Sequence, residues 1–175
     1  MLIDVSYFIS GPRHIKNASV AQMPEPYSLA VNEAINEYIK AFQPEFLRTA
    51  VGLSFSDAIT DYLELIEQEK ENSEGQDDQT ESGYGFLCDK LRESFADYVF
   101  FHILRDMNTQ ATITGLVRLK CADEYVAPIG RQVSIWNGMV KKNRAFVEWA
   151  MSDDCPFIGL KISRNLLTPI NTFNL

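Results

Sequence analysis

The sequence predicts a mainly α-helical fold, a bundle of about five helices formed by a single domain over residues 1–175. Apolar side chains recur at intervals of three and four over most of residues 28–151, which is the helical period. The composition, 46% hydrophobic and 23% charged, is that of a globular protein and excludes a collagen, a disulfide scaffold and global disorder. The length suits one domain with its own core, and no repeat or linker divides the chain.

Residues 1–27 are predicted to form an extended N-terminal arm. Its apolar residues fall at every second position near the start, the period of a strand, and Gly11 and Pro12 break the pattern. Pro24 and Pro26 favour an extended backbone in the residues that precede them. The alternating apolar residues are Ile3, Val5, Tyr7 and Ile9.

Three helices are expected in the first part of the helical core, which spans residues 28–151. Ser28 is a favourable N-cap for the first helix. Pro44 is predicted to end that helix and to open a short second one, which Gly52 terminates. A third helix begins at Ser54, because an acidic residue three positions later resembles a capping signature.

Residues 71–82 are predicted to be a mobile acidic loop. Five of these twelve residues are acidic, none is basic and none is a large apolar residue. The segment cannot bury enough surface to offset the entropy that ordering would cost. A calcium-binding loop is disfavoured, because no glycine lies at the required offset and the oxygen-bearing residues do not alternate.

The second half of the core combines two helices with one non-helical segment. A long central helix, rich in aromatic residues, is expected over residues 86–110. Apolar and polar residues then alternate, which predicts a short strand or extended segment near residues 112–127. A last helix is expected over residues 129–151, and an irregular C-terminal tail over residues 152–175.

Charge is distributed unevenly along the chain. The formal net charge is −8, which argues against a general nucleic-acid binder. Residues 1–90 carry a net charge of −10 and residues 91–175 a net charge of +2. This asymmetry allows one face of the protein to meet the opposite face of a neighbour, and the alternative is a solvated acidic surface.

No catalytic, cofactor-binding or metal-binding residue is predicted, and we expect no enzymatic activity. His14 and His102 lie far from each other in sequence and lack the neighbours of a catalytic pair, so His102 is expected to be a satisfied core or interface histidine. Cys88, Cys121 and Cys155 are too scattered for a zinc site or a disulfide framework. No phosphate-binding glycine motif occurs in the sequence.

The sequence carries no recognisable targeting or membrane segment. Asp4 interrupts the apolar start, which also lacks the basic residues of a secretory signal. No apolar run approaches the roughly 18 residues of a membrane span. We therefore expect a soluble protein that stays inside the cell that makes it and has no membrane partner.

Three segments occur in an order typical of one family of assembly proteins. They are the aromatic run of residues 95–106, the Thr-rich stretch around Gly115, and residues 134–144, which include Trp136. This order resembles the small adaptor proteins of tailed phages and prophages, which are also called head-tail connectors. The likeness covers residues 28–151 in helix order.

The resemblance implies a structural virion protein assembled in the bacterial cytoplasm. Such adaptors form an oligomeric ring of about twelve copies and contact the portal protein on one side and a tail or head-closure protein on the other. DNA passes through the ring channel without specific binding. The apolar arm and tail are the expected contact segments, and the alternative is that each folds back on its own helices. The candidate contact residues are Tyr7, Phe8, Leu166, Leu167, Ile170 and Phe173.

Two other interpretations remain open from the sequence. The acidic first half also suits an acidic protein-binding module of a prophage or bacterium, regulatory or inhibitor-like, which would form a complex with one basic partner. A small enzyme would need a site built from residues interpreted here as structural, and His102 would be its base.

Overall fold

The computed structural model describes residues 1–21, 25–72, 83–107, 109–112, 115–118 and 129–171. Within these ranges the chain is mainly helical, as the sequence predicts. The α-helices and strands are α1 (Pro26–Val51), α2 (Leu53–Asn72), α3 (Gly83–Met107), β1 (Thr109–Thr112), β2 (Gly115–Arg118) and α4 (Ile129–Ala150).

The first two predicted helices are a single helix, α1, and the prediction that Pro44 ends the first one is wrong. Pro44 cannot donate a backbone hydrogen bond to the carbonyl of Lys40. Both residues lie on the exposed side of α1, where solvent can satisfy that carbonyl. Phe46 and Leu47, which follow Pro44 within the next turn, are fully buried. Their burial holds the helix together through the proline.

Gly52 joins α1 to α2 without a loop. Its φ of +86° and ψ of 167° lie in a region that essentially only glycine occupies. Its N–H still donates to the Arg48 carbonyl at 3.1 Å, and its own carbonyl accepts from Ser56 at 3.0 Å. One glycine therefore ends α1 and connects it directly to α2, which agrees with the predicted terminator.

The central helix of the core is α3, which begins three residues before its predicted start and ends before residue 108. Every residue from Ser94 to Phe100 is buried, so this helix has no fully solvated face along that stretch. It packs antiparallel to α1, with Phe46 against Phe95 at 5.0 Å between ring centroids, and antiparallel to α4, with Phe101 against Trp136 at 4.8 Å. It thereby separates α4 from α2.

The first part of the N-terminal arm is not the strand that the alternation of Ile3, Val5, Tyr7 and Ile9 predicts. Residues 5–8 and 11–13 form two 3₁₀ turns. The Asp4 side chain accepts a hydrogen bond from the Ser6 N–H at 2.8 Å and caps the first turn, a local bond that competes with strand formation. The turn buries Phe8 against Phe100 and thus anchors the arm on α3.

Two other predicted segments differ from the structure or lie partly outside it. Helix α2 continues through Asn72, so the start of the predicted acidic loop is helical, and residues 73–82 lie outside the described ranges. Strands β1 and β2 pair antiparallel with Thr109 opposite Arg118, beginning before the predicted segment of residues 112–127. Residues 119–128 lie outside the described ranges.

Candidate interaction surface on α3, α4 and the tail

The predicted contact residues divide into buried and partly exposed side chains. Phe8 and Leu166 pack inside their own chain, with 0% and 3% exposure. Tyr7, Leu167 and Ile170 are half-buried. Phe173 lies outside the described residues. For Phe8 and Leu166 the fold therefore matches the alternative expectation, in which the two ends fold back on the chain's own helices.

A charged cluster ties the arm to α3 and α4. Asp97 is only 7% exposed and accepts from Arg13 at 2.8 Å and from Lys142 at 2.6 Å. Glu93, one turn earlier on α3, accepts from Arg13 at 2.8 Å and lies 3.5 Å from Lys142. Two carboxylates thus face two cations, and each cation comes from a different element.

The charges of this cluster favour the ionised state of Glu93 and of Arg13, the two residues whose pKa is shifted. Desolvation raises the pKa of Glu93, but the hydrogen bonds and charges of Arg13 and Lys142 outweigh it and hold that pKa below its ordinary value. Desolvation by itself lowers the pKa of Arg13, and the two carboxylates more than compensate, so this pKa is raised. The cluster is therefore an ion-pair network at neutral pH.

Asn143 is a fully buried polar junction between three elements. It accepts a hydrogen bond from the Ser94 hydroxyl of α3. Its amide donates to the carbonyl of Leu166 in the tail at 2.9 Å. A buried polar group requires such partners, because its desolvation is otherwise uncompensated. Asn143 therefore fixes the tail on α4 at the point where Leu166 enters the core.

The tail runs back along α4 and is held through its backbone. Trp136 Nε1 donates to the Thr168 carbonyl at 2.9 Å, and Arg144 donates to the Leu167 carbonyl at 3.3 Å. Asn137 makes two bonds to Ile170, accepting from its N–H at 2.8 Å and donating to its carbonyl at 3.0 Å. The Asn137 amide thereby pairs with the tail as a neighbouring strand would.

Two shallow cavities flank this tail. The larger, of about 480 Å³, lies between α4 and the tail and is lined by Arg144, Glu148 and Arg164 among others. The smaller, of about 310 Å³, is lined by Phe101 and Trp136. Thr168 and Pro169 line both cavities. The tail therefore leaves space on both of its sides.

His102 is buried without a hydrogen-bond partner for either ring nitrogen among the described residues. This corrects the expectation of a satisfied histidine. Its ring stacks on Phe42 at 4.0 Å and meets Tyr98 edge-on at 4.6 Å. Desolvation by this apolar surrounding, with a smaller contribution from the Arg105 charge, lowers its pKa to about 4. The ring is neutral at physiological pH and packs as an aromatic.

Cys88, Cys155 and His14, the other cysteines and histidine that the structure describes, lie on different elements of the fold. Burial raises the pKa of the Cys88 thiol to about 11, which keeps it protonated and unreactive. Cys155 is half-buried and unpaired, and Cys121 lies outside the described ranges. His14 contacts the Ile9 carbonyl at 2.9 Å. In the part of the chain that the structure describes, no three His, Cys, Asp or Glu side chains converge as metal ligands would.

Sequence reasoning missed the residues that hold the tail. Trp136, Asn137, Asn143 and Arg144 lie in residues 134–144, a segment that the sequence alone singles out only for the family resemblance. Their spacing, two adjacent pairs separated by seven residues, places all four on one side of α4. Two asparagines on the inward side of an amphipathic helix are the signal that could have found this surface, because buried amides need partners.

Comparisons with known proteins give no similarity from which a family can be assigned. No protein-family model matches the chain, and neither the curated proteins nor the solved structures contain a significant match. Among the described residues, no helix is both long enough and apolar enough to cross a membrane.

Proposed function

We propose that this chain is a structural virion subunit that associates head to tail with its own copies, forming the ring between portal and tail that the connector resemblance implies. The observation that supports this proposal is the separation of charge between two sides of the helical bundle. The acidic side is formed by α1 and α2, and the basic side by α4 and the tail.

The acidic side carries an excess of exposed carboxylates. Residues 26–68 contain seven acidic and two basic side chains, and all nine are exposed. The acidic residues are Glu33, Glu37, Glu45, Asp57, Asp61, Glu64 and Glu67.

The basic side is formed by α4, which packs on α3, and by the tail, whose Ser163 N–H donates to the Thr49 carbonyl of α1. Residues 129–171 contain six basic and three acidic side chains. Five of the six basic side chains are exposed and the sixth, Lys142, is partly exposed. Opposite charges on the two sides allow the acidic side of one subunit to contact the basic side of another.

A contact between unlike faces is heterologous, and it closes into a ring when the rotation between subunits allows it. Exposed ion pairs contribute little individually, about 0.2–1 kcal/mol each, and salt screens them over about 8 Å. Assembly driven by these faces should therefore weaken as salt is raised. The net negative charge of the subunit also suits a channel through which DNA passes without specific binding.

The acidic side gives a second candidate function. Seven exposed carboxylates on two adjacent helices fit a basic protein surface, as expected of a regulatory or inhibitor-like binding module. That function requires a one-to-one complex with a different protein, whereas the first requires a species made of many identical copies.

Mass measurement by light scattering over a range of protein and salt concentrations, with negative-stain images of the largest species, tests the first proposal. A closed ring that dissociates at high salt supports it. A chain that stays monomeric at all concentrations and also fails to bind an isolated portal ring refutes it.

Charge reversal tests the faces themselves. Asp61→Lys with Glu64→Lys alters the acidic side, and Lys141→Glu with Lys161→Glu alters the basic side. A chain that carries all four substitutions should assemble like the unaltered protein. A chain that carries only the acidic-side pair or only the basic-side pair should fail to assemble. Lys16→Glu, an exposed change in the arm, serves as the matched control and should have no effect.

A further inference from the structure

The larger of the two cavities beside the tail is lined by two arginine side chains. Arg144 reaches it from α4, and Arg164 reaches it from the 3₁₀ turn of residues 164–167. Both side chains are exposed, and neither forms an ion pair with a carboxylate in the part of the chain that the structure describes. Arg144 is nevertheless held in place, because it donates to the Leu167 carbonyl at 3.3 Å. Its remaining N–H donors are free to bind a ligand.

Glu148 lines the same cavity one helical turn after Arg144. This spacing allows an ion pair on the surface of a helix, but within the described residues Glu148 forms none. Two guanidinium groups and one carboxylate therefore surround the cavity without neutralising each other directly. Their charges leave a local excess of one positive charge.

Most of the remaining lining is apolar and fixed in position. Val147 and Leu167 are half-buried, and Thr168 directs its hydroxyl to the Arg164 carbonyl at 2.9 Å. The tail side is held by the bond from Trp136 to the Thr168 carbonyl. The volume of about 480 Å³ lies in the range of small-molecule sites, which are typically preformed and combine apolar surface with a few oriented polar groups.

We propose that this cavity binds a small monocarboxylate that carries a short apolar body. The flat guanidinium groups of Arg144 and Arg164 present paired N–H donors that match the two oxygens of a carboxylate. Val147 and Leu167 supply apolar surface for the body of the ligand. Glu148 sets the charge selectivity, because it repels a ligand with a second negative charge. The site does not depend on the ring of the proposed function.

Titration with sodium hexanoate at constant ionic strength tests this site. Chemical shifts of the Arg144 and Arg164 Nε–Hε groups report binding in NMR spectra of the ¹⁵N-labelled full chain. We expect a saturable response with a dissociation constant on the order of 1 mM. Hexan-1-ol, which has the apolar body without the charge, should bind at least about tenfold more weakly. Inorganic phosphate, titrated at a pH where it is a dianion, should also bind at least about tenfold more weakly.

Arg164→Gln and Arg144→Gln should each weaken hexanoate binding by about tenfold, because each removes a charge-assisted pair of donors. Lys16→Gln removes the same charge from an exposed position in the arm and should leave binding unchanged. Arg164→Gln decides the outcome alone if Arg144→Gln loses the helical circular dichroism of the unaltered protein, since the Arg164 side chain makes no hydrogen bond or ion pair among the described residues.

Glu148→Gln tests the selectivity directly. It should strengthen phosphate binding more than hexanoate binding, because the repulsion that it removes is larger for the dianion. The proposal is overturned if hexanoate gives no saturable response, if hexan-1-ol binds equally well, or if Arg164→Gln binds hexanoate like the unaltered protein. An equal effect of Glu148→Gln on both anions would refute the charge selectivity.

Discussion

Replacing Asp97 by Asn removes the charge at the centre of the cluster that joins the arm to α3 and α4, while keeping the shape of the side chain. Loss of one partner from a buried ion pair costs about 3–5 kcal/mol. Two features reduce the cost here. Lys142 is 39% exposed, and Glu93 continues to neutralise both cations. We therefore expect Asp97→Asn to lower the free energy of unfolding by about 2–3 kcal/mol.

Glu93→Gln is the matched control, because it removes the second carboxylate of the same cluster from a side chain that is 55% exposed. Its expected cost is about 1 kcal/mol or less. Urea unfolding followed by far-UV circular dichroism measures both variants. A combination of each with Arg13→Gln should reveal coupling of Arg13 mainly to Asp97.

The relative costs of Asp97→Asn and Glu93→Gln test whether the buried carboxylate holds the arm. If Asp97→Asn costs no more than Glu93→Gln, or shows no coupling with Arg13, the buried carboxylate does not hold the arm and the explanation is wrong. The pH dependence gives an independent check. Because the pKa of Glu93 is depressed, its stabilising effect is fully present above the ordinary pKa of a glutamate and is lost as the pH falls through the depressed value. In Glu93→Gln that acid-side loss should be smaller than in the unaltered protein.

Three further predictions concern other parts of the fold. Gly52→Ala should destabilise the protein by about 1–3 kcal/mol in urea unfolding. The cause is backbone strain alone, because no atom lies near the added methyl group. Gly130→Ala adds a methyl group to an equally open position without a positive φ and should not destabilise the protein. The unaltered protein should lose up to about 3 kcal/mol of stability as the pH falls from 6.5 to about 4, because only the unfolded state binds the extra proton at His102 in that range. His102→Phe should abolish this loss, and equal pH profiles of the two proteins would refute the burial argument. Asn143→Ala should cost about 2–3 kcal/mol and accelerate amide exchange in the tail, because it leaves the carbonyl of Leu166 without its donor; unchanged exchange would contradict the role of this residue.

Helical periodicity is sufficient to predict the class of fold and three of the four α-helices that the structure describes, α2, α3 and α4, to within a few residues. It failed at Pro44, where local propensity favours a break and the burial of Phe46 and Leu47 in the next turn of α1 overrides it. It failed again in the arm. There an alternating pattern suggested a strand, but the capping bond from Asp4 and the burial of Phe8 favour 3₁₀ turns.

The interaction surface was beyond sequence reasoning for a different reason. Its bonds run from side chains of α4 to backbone atoms of the tail, and the backbone carries no sequence signature. A pattern of apolar residues predicts that Leu166 can be buried, but it does not predict which helix Leu166 packs against. The choice of α4 follows from the buried amide of Asn143 and the pairing of Asn137 with Ile170, which become visible only when the two segments are adjacent.

The buried polar side chains of α3 explain how a helix that is buried on every side from Ser94 to Phe100 can select its neighbours. Ser94 bonds to Asn143 on α4, and Asp97 binds both Lys142 on α4 and Arg13 in the arm. Apolar packing alone would tolerate a slip of α3 along its partners, because hydrophobic contacts are not directional. A slip of one turn would leave the Asp97 charge and the Asn143 amide buried without partners, which costs several kcal/mol. The polar groups therefore contribute the register of α3 with α4 and the arm, and that register in turn positions the α4 side chains that bind the tail.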